Sequence, residues 1–299
     1  MRIVSLLPST TELACALGLE SQLVGISHEC DHPQSVLHLP QLTSSMIPSG
    51  LSPSEIDAFV REAVRHDQSL YAVDAVQLRE LEPELILTQG LCDVCAVTPE
   101  TIEASLRGVS CILPARSQIV STEGTSIEGI FEDIRRIAKA ANVTDRGAHI
   151  IAQAEARLKA FSEPLHRPRV LALEWIDPFF SAGHWVPEQI HAAGGISVIG
   201  APGSHSKTLD LEAVLQSNPD MIVVLCCGFD LKTNQKLAEQ LRQRPELQGM
   251  KAIREGQLWA IDANSYCSRP TLRVVEGVKI LSQIFKGEPV DSDQACRIG

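Results

Sequence analysis

Long apolar runs are missing from this 299-residue chain. The N-terminus, MRIVSLLPSTTELACALG, offers only the short run Ile3 to Leu7 before Pro8 interrupts it. A secretory signal needs a longer apolar segment followed by a small-residue cleavage site, and a bilayer span needs about 20 apolar residues. Neither pattern is present, so the expectation is a cytoplasmic protein without membrane insertion. A periplasmic location would require that a leader had been removed. Basic charge is also scarce. Lys and Arg total 26 against 37 Asp and Glu, giving a net charge of -11, and no basic cluster occurs. That argues against nucleic-acid or anionic-membrane partners. Cysteines number nine. This is too few for a disulfide-built fold of this size, and the number is odd, so thiols, buried fillers or metal ligands are expected. Aromatic residues make up only 4%, which gives weight to any place where they cluster.

What the chain does contain is enough apolar residue, 44%, for a substantial core, in two halves that resemble each other. The first half opens with a strand at Arg2–Leu6 and a turn at Pro8-Ser9. Ser9 or Thr10 is placed to cap a helix near Thr11-Glu12. A short strand, QLVGIS, a polar loop, HECDHP, and a helix capped by Ser52 or Ser54 follow. Then come a short helix, a Pro turn and the buried strand Leu85–Thr88, with SCILPA as a further strand. The second half opens with the strand RVLALEW and continues with a helix at VPEQIHAAGG, in which Pro187 suits the first turn. LDLEAVLQSNPDMIVVLCC reads as helix, turn and strand; GQLWAIDA is another strand, and a closing helix follows.

Between the halves, Ile127, Ile130, Ile134, Ile137 and Ala141 fall at helical spacing, and the pattern resumes after Asp145. The spacing predicts one long connecting helix, weakest at Asn142-Val143-Thr144. Alternating strands and helices predict an α/β fold of two Rossmann-like lobes with parallel sheets, divided as 1–124, a connecting helix at 125–163, and 164–299. Ligands of open α/β sheets gather at the carboxyl ends of strands. The same end would carry TQGLCDVCAV, with Cys92 and Cys95, in one half and LCCGF, with Cys226 and Cys227, in the other.

Thiolates favour zinc, Cu(I) and iron–sulfur clusters, and a Cys-x-x-C turn presents two sulfurs to one ion. Cys226 and Cys227 are neighbours, so both face one way only if the strand ends before them, as Gly228 would allow. His28, Cys30 and Asp31 add candidate ligands in the first half; Glu174 and His184 add them in the second. Cys92/Cys95 could equally be a redox dithiol or buried fillers, and filler is the favoured reading for Cys15 and Cys111. In a chain so poor in aromatics, EWIDPFFSAGHW is unusually rich, which makes Trp175 and Trp185 candidates for facing a ligand.

The chain resembles the helical-backbone (class III) substrate-binding proteins of ABC transporters, and within them the vitamin B12-binding proteins. The resemblance covers nearly the whole sequence. It rests on RIVSLLPSTTELACALGLESQLVGIS, on LEPELIL and NPDMIVV at matching points, on the connecting helix, and on DANSYCSRPTLRVVEGVKIL. It implies a corrinoid clamped between two lobes, with aromatics and an Arg lining the cleft. The matching positions are Tyr71, Phe179, Phe180 and Arg269, with Tyr266 in the closing motif. It also implies docking to a permease through one acidic residue per lobe. Glu212, seven before Pro219, matches that position, whereas the residue seven before Pro83 is Val76.

The leading expectation is therefore a non-enzymatic protein that encloses cobalamin or a similar metallo-ligand, with the cysteines adding metal ligands. The alternatives are a cytoplasmic protein holding zinc or an iron–sulfur cluster directly, and an exported ABC transporter component working with a permease. No Ser-His-Asp order, phosphate loop or His-Glu-x-x-His motif supports an enzyme.

Overall fold

The structure, a computed structural model, describes residues 1–48, 50–66, 68–90, 102, 117–161 and 164–299. The chain divides into two compact units. Unit 1 is Met1–Gly124 with Glu128–Gln153, and unit 2 is Thr125–Ile127 with Ala154–Gly299.

Unit 1 contains strands β1 (Ile3–Ser5), β2 (Leu23–Gly25), β3 (Thr43–Ser45), β4 (Tyr71–Val73), β5 (Leu85–Gln89) and β6 (Gln118–Thr122). Four of them form a parallel sheet in the order β2-β1-β5-β6, while β3 and β4 pair as an antiparallel hairpin. Every residue of β5 is buried, as expected for a strand covered on both faces. Val4, Leu6, Leu42, Leu78 and Ile86 pack together beneath it.

The first helix starts at Pro8 rather than near Thr11, and its N-cap, Leu7, offers no side-chain bond. Proline presets the backbone angle that a first helical turn requires and gives up an N–H that would be orphaned there. Neither hydroxyl expected to cap the helix does so: Thr10 donates to the Leu7 carbonyl at 3.1 Å, and Ser9 Oγ is buried with no hydrogen-bond partner among the described residues. The helix Pro53–Arg65 does begin as its sequence suggests. The backbone N–H of Ser52 donates to Glu55 Oε2 at 2.7 Å, and the Glu55 N–H returns to Ser52 Oγ at 3.4 Å.

The connecting segment is two helices, Ile127–Ala140 and Thr144–Lys159, not one. Asn142 has φ +57°, a left-handed conformation that asparagine tolerates and that ends a helix. The Val143 N–H then bonds the Ala138 carbonyl at 2.8 Å. A Cβ on Gly147 would lie 2.7 Å from Ala138 Cβ, so the second helix starts hard against the end of the first.

Unit 2 contains β7 (Arg169–Ile176), β8 (Phe179–Ser181), β9 (Ile196–Ser197), β10 (Thr208–Leu209), β11 (Met221–Val224), β12 (Leu258–Ile261) and β13 (Ala295–Ile298). The central strands β7, β11 and β12 are parallel, as expected. The flanks are not: β8 and β13 pair antiparallel to β7 and β12. A turn at Asp177-Pro178 folds the chain straight back on β7, and a two-residue turn can only give an antiparallel pair. The core is built from Leu171, Leu173, Ile222, Val224, Leu237 and Leu241.

One plan recurs in both units. Asp74 and Asp210 accept N–H bonds from Gln77 and Ala213 and cap the helices Ala75–Glu80 and Leu211–Ser217. Each helix leads to a residue with positive φ, Glu82 (+43°) or Asn218 (+37°), then a proline, an acidic residue and a buried strand. The acidic residue is tied to the backbone at the start of the neighbouring strand, just before β1 in one unit and at the first residue of β7 in the other. Glu84 accepts the Arg2 N–H at 2.8 Å, and Asp220 accepts the Arg169 N–H at 2.9 Å.

Candidate functional site

In unit 2, β7 runs past the end of β11, whose last residue, Val224, pairs with Leu173. The overhang carries Glu174 and Trp175. The Glu174 carboxylate accepts the Gly183 N–H at 2.9 Å and the Ser206 hydroxyl. Burial pushes its pKa up despite these two bonds. The segment around residues 200–206 lies directly on residues 182–184. The His184 N–H donates to the Ser204 carbonyl at 2.6 Å, and the Gly203 N–H donates to the His184 carbonyl at 3.0 Å. A Cβ on Gly183 would collide with the Ser206 backbone nitrogen, so glycine is what permits the approach.

His184 itself has φ +53°. The His205 ring meets it edge-on, with centroids 5.3 Å apart and planes at 89°. Burial, and then the proximity of His205, lower the His184 pKa, so the ring is neutral near pH 7. Trp175 stacks on Phe229 at 5.4 Å with planes 29° apart. Its indole N–H is buried and has no hydrogen-bond partner in the described structure. Phe180 is half-buried. Tyr266, also half-buried, lies beneath the Arg273 guanidinium, 5.5 Å from the ring centroid, and Arg269 is partly exposed nearby in the chain.

Three expected ligand or metal contacts belong to the core instead. Phe179 is 6% exposed and packs among the core residues, with Arg244 over its ring at 4.8 Å. Strand alternation explains this, because Phe179 and Phe180 point to opposite faces. Trp185 is buried, and its indole N–H donates to the Cys267 carbonyl at 2.7 Å. Cys226 is fully buried in the apolar core while Cys227 is exposed. β11 does end before them, at Val224, yet the two side chains still part, Cys226 into the core and Cys227 to the surface, so they do not face one way.

In unit 1, Ser27, His28 and Glu29 follow β2 at the corresponding edge, and Tyr71, the first residue of β4 in the separate hairpin, reaches them. His28 Nδ1 lies 2.7 Å from the Thr43 hydroxyl, which is in turn 2.9 Å from Ser27 Oγ. The Tyr71 hydroxyl donates to Glu29 Oε1 at 3.3 Å, and its ring centroid is 6.2 Å from that of His28. Cys30 is buried, with its sulfur 3.2 Å from Thr11 Oγ1. Cys92 and Cys95, along with Cys111 and SCILPA, lie outside the described residues. Among the described residues no group of three or more His, Cys, Asp or Glu side chains is arranged to hold a metal ion.

Glu212 is exposed in the first turn of its helix and accepts a bond from Gln216 at 2.6 Å. Val76, at the matching place after Asp74, is 48% exposed. Sequence reasoning missed Glu29, Phe229, His205 and Ser206. Only the string SHS beside a glycine hinted at the last two, and nothing local placed Phe229 against Trp175.

Two α/β units built on one plan, each with polar and aromatic side chains at the carboxyl edge of its sheet, define the class of bilobal binding proteins. The chain belongs to the periplasmic binding protein family, whose sequence profile matches residues 3–265. The vitamin B12-binding protein of Vibrio cholerae is 24% identical over 291 residues, covering 95% of this chain and 89% of that protein. The periplasmic heme-binding protein RhuT from Roseiflexus sp. RS-1, in apo form, superposes with a TM-score of 0.68 at 24% identity, covering 96% of this chain and 98% of that one. The periplasmic vitamin B12-binding protein BtuF of Vibrio cholerae gives 0.65 at 20% identity, covering 95% and 96%. These relatives are described as periplasmic or as vitamin-binding, and none of them favours the cytoplasmic expectation. Among the described residues no helix is long and apolar enough to cross a membrane.

Proposed function

We propose that this chain is the exported substrate-binding component of an ABC-type uptake system, and that its ligand is a tetrapyrrole of the cobalamin or heme kind. The observation that carries this reading is the repeated plan of the two units. Both place an aromatic and a titratable side chain at the carboxyl edge of the sheet: Tyr71 with His28 and Glu29, and Trp175 with Phe229, Glu174 and His184. Open α/β sheets collect ligands at that edge, and flat macrocycles present large apolar faces that aromatic rings cover well. Phe180, Tyr266 and Arg269 complete the proposed contacts in unit 2, with Arg269 placed to meet acidic substituents of the macrocycle. Glu212, exposed at the start of its helix, is the proposed contact to the permease.

The ligand is carried unchanged, and the protein's part is to bind and release it. The test is a titration of purified protein with heme, cyanocobalamin and hydroxocobalamin, followed by absorption spectra and calorimetry. Saturable binding of one class, with a shifted absorption band, is the expected result. Absence of both heat and spectral change with all three overturns the reading. Cell fractionation tests the location: recovery of the native protein in the cytoplasm contradicts the transport role.

A further inference from the structure

Cys227 and Cys267 lie 40 positions apart in the sequence, yet the structure brings their segments together. The Gly228 N–H donates to Ser268 Oγ at 3.0 Å, and the Asn264 N–H donates to the Phe229 carbonyl at 3.0 Å. These bonds lay the turn after β11 along the segment Ala263–Ser268, and Cys227 and Cys267 immediately precede the two residues of the first bond, Gly228 and Ser268. Cys227 is exposed and Cys267 is 2% exposed. Both are thiols in this structure. Burial raises the Cys267 pKa.

We propose that Cys227 and Cys267 form a redox-active pair that closes to an intramolecular disulfide when the protein meets a small-molecule disulfide. The pairing is set by access. Cys227 is open to solvent and reacts first, whereas Cys226 beside it is fully buried in the apolar core and faces away. In the first step Cys227 loses its proton to water, and its sulfur attacks one sulfur of the small disulfide. That S–S bond breaks, and one thiolate leaves and is protonated. In the second step the Cys267 sulfur attacks Cys227 Sγ of the mixed disulfide, and the second small thiolate leaves with the Cys267 proton. Two cysteine sulfurs are oxidised, and one small disulfide is reduced to two thiols.

The backbone on the Cys267 side is already fixed. Its carbonyl accepts the Trp185 indole N–H at 2.7 Å, and Gln189 Nε2 holds the Tyr266 carbonyl at 2.9 Å. Closure therefore ties the end of β11 to an anchored segment rather than to a loose one. The inference does not depend on the identity of the transported ligand, and its test uses none.

The experiment is peptide mapping of the full chain after exposure to oxidised glutathione. Remaining thiols are blocked under denaturing conditions, and digestion is carried out without reduction. The expected product joins the peptides containing Cys227 and Cys267, at a mass two hydrogens below their sum. The Cys267→Ser variant should stop at one glutathione on Cys227, and the Cys227→Ser variant should yield no linked peptide at Cys267. Wild-type protein that keeps glutathione on Cys227 while Cys267 is recovered alkylated overturns the proposal, as does linkage of Cys227 to any other cysteine. If Cys267→Ser does not fold, the wild-type map and Cys227→Ser still decide between these outcomes.

Discussion

Asp220 accepts the backbone N–H of Arg169 at 2.9 Å while its other carboxylate oxygen holds Lys251 Nζ at 2.7 Å. The pair Asp220–Arg169 pins the start of β7 to the start of β11, as Glu84 pins β1 to β5 through Arg2. Both carboxylates directly follow a proline. The Lys251 bond first, and then the Arg169 N–H, hold the Asp220 pKa below its ordinary value. Its contribution is complete above about pH 4 and is lost as the pH falls through the lowered folded-state pKa. Asp220→Asn should cost about 1 kcal/mol at pH 7, mostly from the backbone bond, because the exposed ammonium adds little. Urea unfolding at pH 7 and pH 3 checks this: the difference from wild type should shrink at the lower pH.

Asn234 is a buried junction in unit 2. Its Oδ1 accepts the Cys226 N–H at 3.0 Å, and its Nδ2 donates to the carbonyls of Ile261 at 3.0 Å and Phe229 at 3.2 Å. Asn234→Leu would strand the buried Cys226 N–H and take a donor from the Ile261 carbonyl, while the Phe229 carbonyl keeps the Asn264 N–H, so a loss of about 2–4 kcal/mol is expected. Denaturant midpoints measure it, and a change below about 0.5 kcal/mol would show that the site repacks.

Gly277 faces Gln189 and Tyr266. A Cβ there would lie 2.6 Å from the Tyr266 carbonyl oxygen and would also press on the Gln189 amide. Gln189 in turn donates to the Tyr266 and Val274 carbonyls, both at 2.9 Å. Gly277→Ala should lower stability by about 1–3 kcal/mol through overpacking, despite alanine's better helix propensity. A raised melting temperature in calorimetry would contradict this.

His184 gives a pH signature. Its pKa is lowered in the folded protein, so folding favours the neutral ring. That contribution is fully present above the unfolded value of about 6.5 and is lost as the pH falls through the folded value. His184→Asn keeps a residue that tolerates positive φ and removes the titration. The slope of stability against pH just below 6.5 should flatten in the variant. An unchanged slope would assign it to other groups.

Ligand contacts are tested by Trp175→Ala and Tyr71→Phe. The first removes a stacked ring at the edge of unit 2 and should weaken binding of heme or cobalamin by about tenfold, or about 1.4 kcal/mol. The second removes only the hydroxyl bonded to Glu29 and should have a smaller effect. Equal affinity in wild type and Trp175→Ala would remove that edge from the proposed contacts.

The elements that proved legible in the sequence are those with local causes. Leu85–Thr88 and Met221–Leu225 announced themselves as apolar runs after proline turns, and the observed strands match them to within a residue. The break at Asn142 was visible as a weak point, but its consequence was not, because propensity alone does not say whether a chain bends or continues. The site was less legible. Phe179 and Phe180 look alike in a string, and only strand pairing sends one into the core. Cys226 and Cys227 look like a pair because they are adjacent, yet just past the end of β11 one turns into the core and the other to the surface. The residues after Cys227 are instead tied to the segment holding Cys267 through tertiary hydrogen bonds that no local pattern encodes.

The division of the chain has a practical consequence for dissecting it. Unit 1 takes residues 128–153 as well as 1–124, and the boundary at Gln153–Ala154 falls inside the helix Thr144–Lys159. Asp133, buried in that second stretch, accepts the N–H groups of both Glu123 and Gly124. A fragment ending at residue 124 would lose the partner for its own last backbone donors, and a fragment ending at 153 would carry a helix cut short of its final turns. Neither half is a clean module to express alone. Deletion or chimera experiments on this protein should move the two units together with the whole of residues 125–160.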